Sequence, residues 1–106
     1  MESYKLTGIN LEVAKKDIIN HSMNVVNKKI DEMGDGWRLP TIEELFYLYK
    51  LSTSFEVLNL QGNIYWTSSV PVEGLATDRW TINFNTGSKV SYSKFNTLCA
   101  KLVRDL

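Results

Sequence analysis

The stretch Gly36-Trp37-Arg38-Leu39-Pro40-Thr41-Ile42-Glu43-Glu44-Leu45 decides how this chain folds. Pro40 cannot continue a strand ladder or sit inside a helix, and it biases Leu39 toward extended backbone. Thr41 is a good N-cap, and Glu44 stands three residues on, where a capping box needs it. Ile42, Leu45, Phe46 and Tyr49 follow at helical spacing, so a helix begins here and carries an apolar face. The segment is a short extended piece turning sharply into a helix. It holds no nucleophile, base or metal cluster, so it speaks to architecture more than to chemistry.

Upstream, Leu6 to Val13 alternates, with Ile9, Leu11 and Val13 on one face and Asn10 and Glu12 on the other. This predicts a half-buried strand bent at Gly8. Ser22 caps a helix whose apolar stripe is Met23, Val26, Ile30 and Met33, and Gly34 stands where a helix C-terminus wants it. Downstream, the second helix runs over about 42–50 and ends near Ser52-Thr53-Ser54. Gln61-Gly62-Asn63 is a turn before a β-rich run, Ile64 to Thr67. Trp80, Ile82 and Phe84 alternate with Thr81 and Asn83 as a strand with one wet face. Asn85 to Ser88 turns into a strand from Lys89 to Tyr92, and a final strand spans Cys99 to Arg104. Strand, helix, helix, then short antiparallel strands is an α+β order with two helices against a sheet.

The 106 residues make one domain, and 43% hydrophobic with 23% charged residues is ordinary globular composition. Twelve basic residues balance twelve acidic ones, which argues against a nucleic-acid partner. No apolar run is long enough to span a bilayer, and charges interrupt the N-terminal segment, so neither a membrane nor a signal peptide is expected. The lone Cys99 excludes an intramolecular disulfide and a thiolate metal cage, which points to a reducing, cytoplasmic setting.

Four patches carry a resemblance: Asn10 to Asp17, Gly36 to Thr41 with Glu44-Leu45, Tyr65-Trp66-Thr67-Ser68-Ser69, and Trp80 to Phe84 with Gly87. Together with the closing Val103-Arg104 they make the chain similar to the Lcl C-terminal domain family. The resemblance implies a C-type-lectin-like fold related to the formylglycine-generating-enzyme branch, with the first and last strands paired. It departs from family habit at Ile30, where many members carry a cysteine, and the secretion signal or lipoprotein anchor that many members carry is not expected here.

For chemistry the residues offer bland readings beside sharp ones. Trp37, Trp66 and Trp80 lie in strand-like motifs and read as core. Arg38 and Arg104 read as internal pairs, with Glu44 a natural partner. Glu73, Asp78, Asn83 and Asn85 offer oxygens, but their spacing matches no calcium loop, so no metal and no cofactor is expected. Cys99 between Leu98 and Ala100 reads as a small core hydrophobe, and His21 as a solvated turn residue without partners for a triad. The Thr67 to Ser69 hydroxyls read as bonding nearby backbone.

The expectation is a non-catalytic binding module whose loops, about 52–63, 70–79 and 93–97, meet a protein. The candidate residues are Glu73, Thr77, Asp78, Arg79, Asn85, Tyr92, Lys94 and Asn96. A glycan is the alternative ligand, and self-association stays open. Two other classes remain. One is a small cytosolic inhibitor or regulator, phage- or mobile-element-encoded, using a flat or helical face. The other is a formylglycine-generating type of enzyme, for which one cysteine cannot supply the pair.

Overall fold

A computed structural model describes residues 2–54, 63–71 and 77–106. The strands are β1 (Ser3–Leu6), β2 (Leu11–Ala14), β3 (Ile18–His21), β4 (Ile64–Trp66), β5 (Asp78–Asn83), β6 (Ser88–Ser93), β7 (Leu98–Ala100) and β8 (Val103–Asp105). The helices are α1 (Met23–Met33) and α2 (Ile42–Ser54), and a single 3-10 turn covers Thr7–Ile9. The α+β class holds. A three-stranded sheet runs β1-β2-β8, and a five-stranded sheet runs β3-β7-β4-β5-β6.

The start and end of the chain are paired. β2 runs antiparallel to β8, with Leu11 opposite Asp105 and Val13 opposite Val103, and β1 folds back outside β2. The expected first strand is shorter than its alternation suggested, because Gly8 and Ile9 lie in the 3-10 turn. Asn10 closes that turn in the left-handed region at φ 55°, which asparagine tolerates. Glu12, expected on a wet face, is buried. Its carboxylate accepts from Arg104 Nε at 2.8 Å and from the Ser3 hydroxyl, which keeps the charge satisfied.

The final strand expected from Cys99 to Arg104 is two strands in different sheets. β7 pairs with β3 and touches β4 in parallel at Tyr65 opposite Cys99, whereas β8 joins β2. Lys101 and Leu102 carry the chain between the sheets, and Leu102 C=O accepts from Ala14 N–H at 3.0 Å.

The decisive stretch forms as read. Thr41 N–H donates to Glu44 Oε1 at 2.8 Å and Glu44 N–H donates to Thr41 Oγ1 at 3.2 Å, a closed capping box. Arg38 donates to both Glu44 oxygens at 2.8 and 2.9 Å, while its backbone bridges Val103 at 2.8 and 2.9 Å. The Thr67 to Ser69 run completes the joint: Ser68 N–H donates to Pro40 C=O, and Ser69 Oγ accepts the Ile42 N–H. Thr41→Ala should therefore cost about 1 kcal/mol in a denaturant titration through the lost cap.

The Arg38 guanidinium, followed by the Thr41 N–H, holds the Glu44 carboxyl below its usual range. A depressed folded value means the stabilisation is full above the unfolded value of about 4.3 and is lost as pH falls through the folded one. Glu44→Gln should consequently flatten the loss of stability seen on titrating below about pH 4.3. A mutant curve parallel to the wild type there would contradict this coupling.

Two cores follow from strand alternation on the five-stranded sheet. Tyr65 joins Leu11, Val13, Leu45, Leu48, Ile82, Cys99 and Val103 on the side of α2 and the small sheet. Its neighbour Trp66 joins Ala14, Met23, Val26, Trp37, Leu39, Ala100 and Leu102 on the side of α1.

The β5–β6 turn lies against α2. Gly87 has φ 76°, and a Cβ there would come within 2.9 Å of the Tyr49 ring, so glycine is required both by backbone and by space.

Candidate functional site

The hairpin of β5 and β6 places most of the candidate residues at one end. Antiparallel register sets Asp78 opposite Ser93 and Arg79 opposite Tyr92. Lys94 N–H donates to Thr77 C=O at 2.7 Å, extending the pairing past the strands. The chain then turns tightly: Asn96 donates to Ser93 C=O from its backbone at 3.0 Å and from its amide at 3.1 Å. Phe95 N–H meets Ser93 Oγ at 3.3 Å. Lys94 C=O accepts the Met23 N–H at 3.1 Å, which ties this turn to the start of α1.

Thr77, Asp78, Arg79, Tyr92, Lys94 and Asn96 thus gather around one turn. Arg79 Nη1 donates to Asp78 C=O at 2.8 Å, and Thr77 Oγ1 approaches Asp78 Oδ1 at 3.5 Å. Asn85 sits in the turn at the other end of the hairpin, roughly 17 Å or more away at strand rise. Glu73 lies outside the described residues. Tyr92 is half-buried against the α1-side core, so it serves packing as well as any contact.

Phe95 occupies the tip of the same turn and is 67% exposed, the largest value among the exposed large hydrophobic side chains described. Its neighbour Lys94 holds its Nζ 5.7 Å from the ring centroid. Sequence reasoning named both flanking residues and passed over Phe95. The signal was present: one aromatic inside the polar run Ser93-Lys94-Phe95-Asn96-Thr97 has no strand or helix period to bury it.

The other candidates for chemistry are structural. Trp37 is buried under the Arg104 guanidinium, 4.6 Å from the ring. Arg104 also donates to Asp35 C=O at 3.1 Å, and its pairing with Glu12 raises its pKa further. Cys99 is a buried free thiol. His21 is a half-buried strand residue rather than a turn residue, and its carbonyl accepts Trp66 Nε1–H at 3.1 Å. Among the described residues, no group of three or more His, Cys, Asp or Glu is placed to hold a metal ion. No helix among them is long and apolar enough to cross a membrane.

One polar cluster was not read from the sequence. Lys101 and Asp17 form an ion pair at 2.5 Å with both side chains fully buried. Lys101 Nζ also donates to Ala14 C=O and Lys15 C=O at 3.1 Å, and the Tyr65 hydroxyl donates to Asp17 Oδ2 at 2.5 Å. These bonds join the β2–β3 connection to the crossing between the two sheets. With its Nζ directed at two carbonyls and a carboxylate, Lys101 spends its three donors on structural bonds between the sheets.

A search of curated proteins returns no match. The family model of the Lcl C-terminal domain matches residues 9–104, nearly the whole chain and every patch singled out above. The matched range takes in the capping box, the Trp66-bearing strand and the Arg104 closure, and the chain belongs to the Lcl C-terminal domain family.

Proposed function

We propose that this domain is a non-catalytic binding module whose turn at residues 93–97 contacts a protein, with Phe95 as its anchor. The exposure of Phe95 is the observation that carries this reading. An aromatic ring held in water on a turn fixed by its own hydrogen bonds forgoes a burial worth about 1.5–3 kcal/mol. It is already ordered, so a partner that covers it recovers this at small entropic cost. Around it Lys94, Asn96, Arg79, Asp78 and Thr77 form a polar surround, the arrangement in which a buried aromatic carries much of an interface's affinity. Presentation of a ligand surface on loops is also the C-type-lectin-like habit, an analogy at the level of fold. The buried, solitary Cys99 supports neither nucleophilic nor oxidase chemistry, and one cysteine fits a reducing, cytoplasmic setting.

Phe95→Ala tests the proposal. Because the ring is exposed, the melting temperature should stay within about 0.5 kcal/mol equivalent of wild type. Capture of the partner from native lysate should fall at least about tenfold, the equivalent of 1.4 kcal/mol. Capture that disappears when the lysate is treated with protease fits a protein ligand, whereas capture that survives it means a glycan. Capture unchanged by Phe95→Ala but lost on replacing Lys29 or Glu43 would move the binding face to the helices, as a regulator using a helical surface requires.

A further inference from the structure

Among the described residues β6 is the outer strand of the five-stranded sheet, and its pairing with β5 fixes which of its backbone groups are used. Lys94 N–H donates to Thr77 C=O, and Val90 C=O accepts the Thr81 hydroxyl at 2.7 Å, so the even-numbered residues turn toward β5. Antiparallel alternation then points the N–H and C=O of Lys89 and Ser91, and the N–H of Ser93, away from it. Trp80, opposite Ser91, agrees: its N–H donates to Ser69 C=O and its C=O accepts the Thr67 N–H, both on the β4 side.

Natural sheets block such an edge with charge, proline or a bulge. Here the register from Asp78–Ser93 to Asn83–Ser88 is unbroken, and Ser88 to Ser91 are all exposed. The one charge within the strand, Lys89, does not guard it. Its Nζ lies 4.3 Å from the Trp80 ring centroid, folded back over the hairpin.

We propose that β6 pairs with β6 of a second copy of this chain, antiparallel about a two-fold axis through Ser91. The strand is complementary to itself in that register. Ser91 faces Ser91, Lys89 faces Ser93, and Val90 faces Tyr92 twice over, so no like charges meet. Val90, 39% exposed in the monomer, gains an aromatic cross-strand neighbour. Centring one residue earlier would instead set Val90 on Val90 and Ser88 on Tyr92, leaving the tyrosine without an apolar partner. Two five-stranded sheets become one continuous sheet, and of the 93–97 turn only Ser93, the last residue of β6, enters the alignment. A single strand contact is small beside the roughly 1,200–2,000 Å² of a standard interface, so the dimer is weak, with a dissociation constant on the order of 100 μM.

Sedimentation velocity of the intact domain from about 10 μM to about 1 mM should show a monomer passing to a dimer. Ser91→Pro removes an N–H that β5 does not use, so the melting curve should be kept while dimerisation weakens at least tenfold. Ser91→Cys gives a second reading that does not depend on the proline. Hydrogen-bonded antiparallel partners have Cα atoms about 5.5 Å apart, within disulfide reach. This variant should form a disulfide dimer under mild oxidation, while Lys89→Cys, which faces Ser93 rather than its own copy, should not cross-link. Phe95→Ala should leave the dimer unchanged, which separates this inference from the loop reading. A monomer at every concentration overturns the proposal, as does a dimer that survives Ser91→Pro or fails to cross-link through Ser91→Cys.

Discussion

Lys101→Ala is expected to be among the most damaging single changes in this domain, costing about 3–5 kcal/mol. The reason lies in what it leaves behind. The Asp17 side chain is fully buried, and Lys101→Ala takes away the ammonium that pairs with its carboxylate. The carbonyls of Ala14 and Lys15 lose their shared donor in the same step. For a domain with about 5–15 kcal/mol in total, that is a large fraction, and the melting temperature should fall by more than about 10 °C. The double change Asp17→Asn with Lys101→Met removes both charges and should recover much of the loss, because the uncompensated buried ion is what costs most. A Lys101→Ala protein within about 1 kcal/mol of wild type in urea would show that the pair does not hold the sheet crossing.

Trp37→Ala should cost about 3–5 kcal/mol as well, by a different route. The indole is only 7% exposed and packs with Leu39, Trp66 and Leu102 on the α1 side. Its removal opens a cavity under Arg104, whose guanidinium lies 4.6 Å from the ring and whose Nε holds the buried Glu12. Transfer energy, cavity and a loosened ion pair act together. Trp37→Phe keeps the ring and should recover more than half of the loss. A melting temperature unchanged in Trp37→Ala would contradict the assigned core.

What was legible in the sequence was what is local. The Thr41–Glu44 box, the Met23–Met33 stripe with Gly34 at its end, and the β5–β6 hairpin are each specified by residues within a few positions. β3 escaped notice because Ile18-Ile19-Asn20-His21 is short and does not alternate, and its pairing to β7 is interrupted at Asn20, φ 57°. The division between β7 and β8 was hidden inside the run Leu98 to Val103, which is apolar on both sides of Lys101 although the sheet changes there. The lysine in that run was the available hint, since a buried ammonium requires a partner. Asp17, however, is found only by a fold that brings positions so far apart in sequence together.

The candidate site divides in the same way. Arg79 and Tyr92 could be read as neighbours once the hairpin was drawn, and Lys94 and Asn96 fell in a turn by composition. Tyr92 proved to serve the core as well, because its position in the alternation points it to the α1 side. Asn85 belongs to the far turn by the same register that unites the others.

The central claim, that the 93–97 turn and its strand neighbours are the binding face, is tested most directly by amide hydrogen exchange of the domain with and without its captured partner. The account predicts slowed exchange concentrated at residues 77–79 and 92–97, with α1 and α2 unchanged beyond the Met23 amide that the turn already holds. Protection confined to the exposed faces of α1 and α2, with the 93–97 turn exchanging as before, would contradict it.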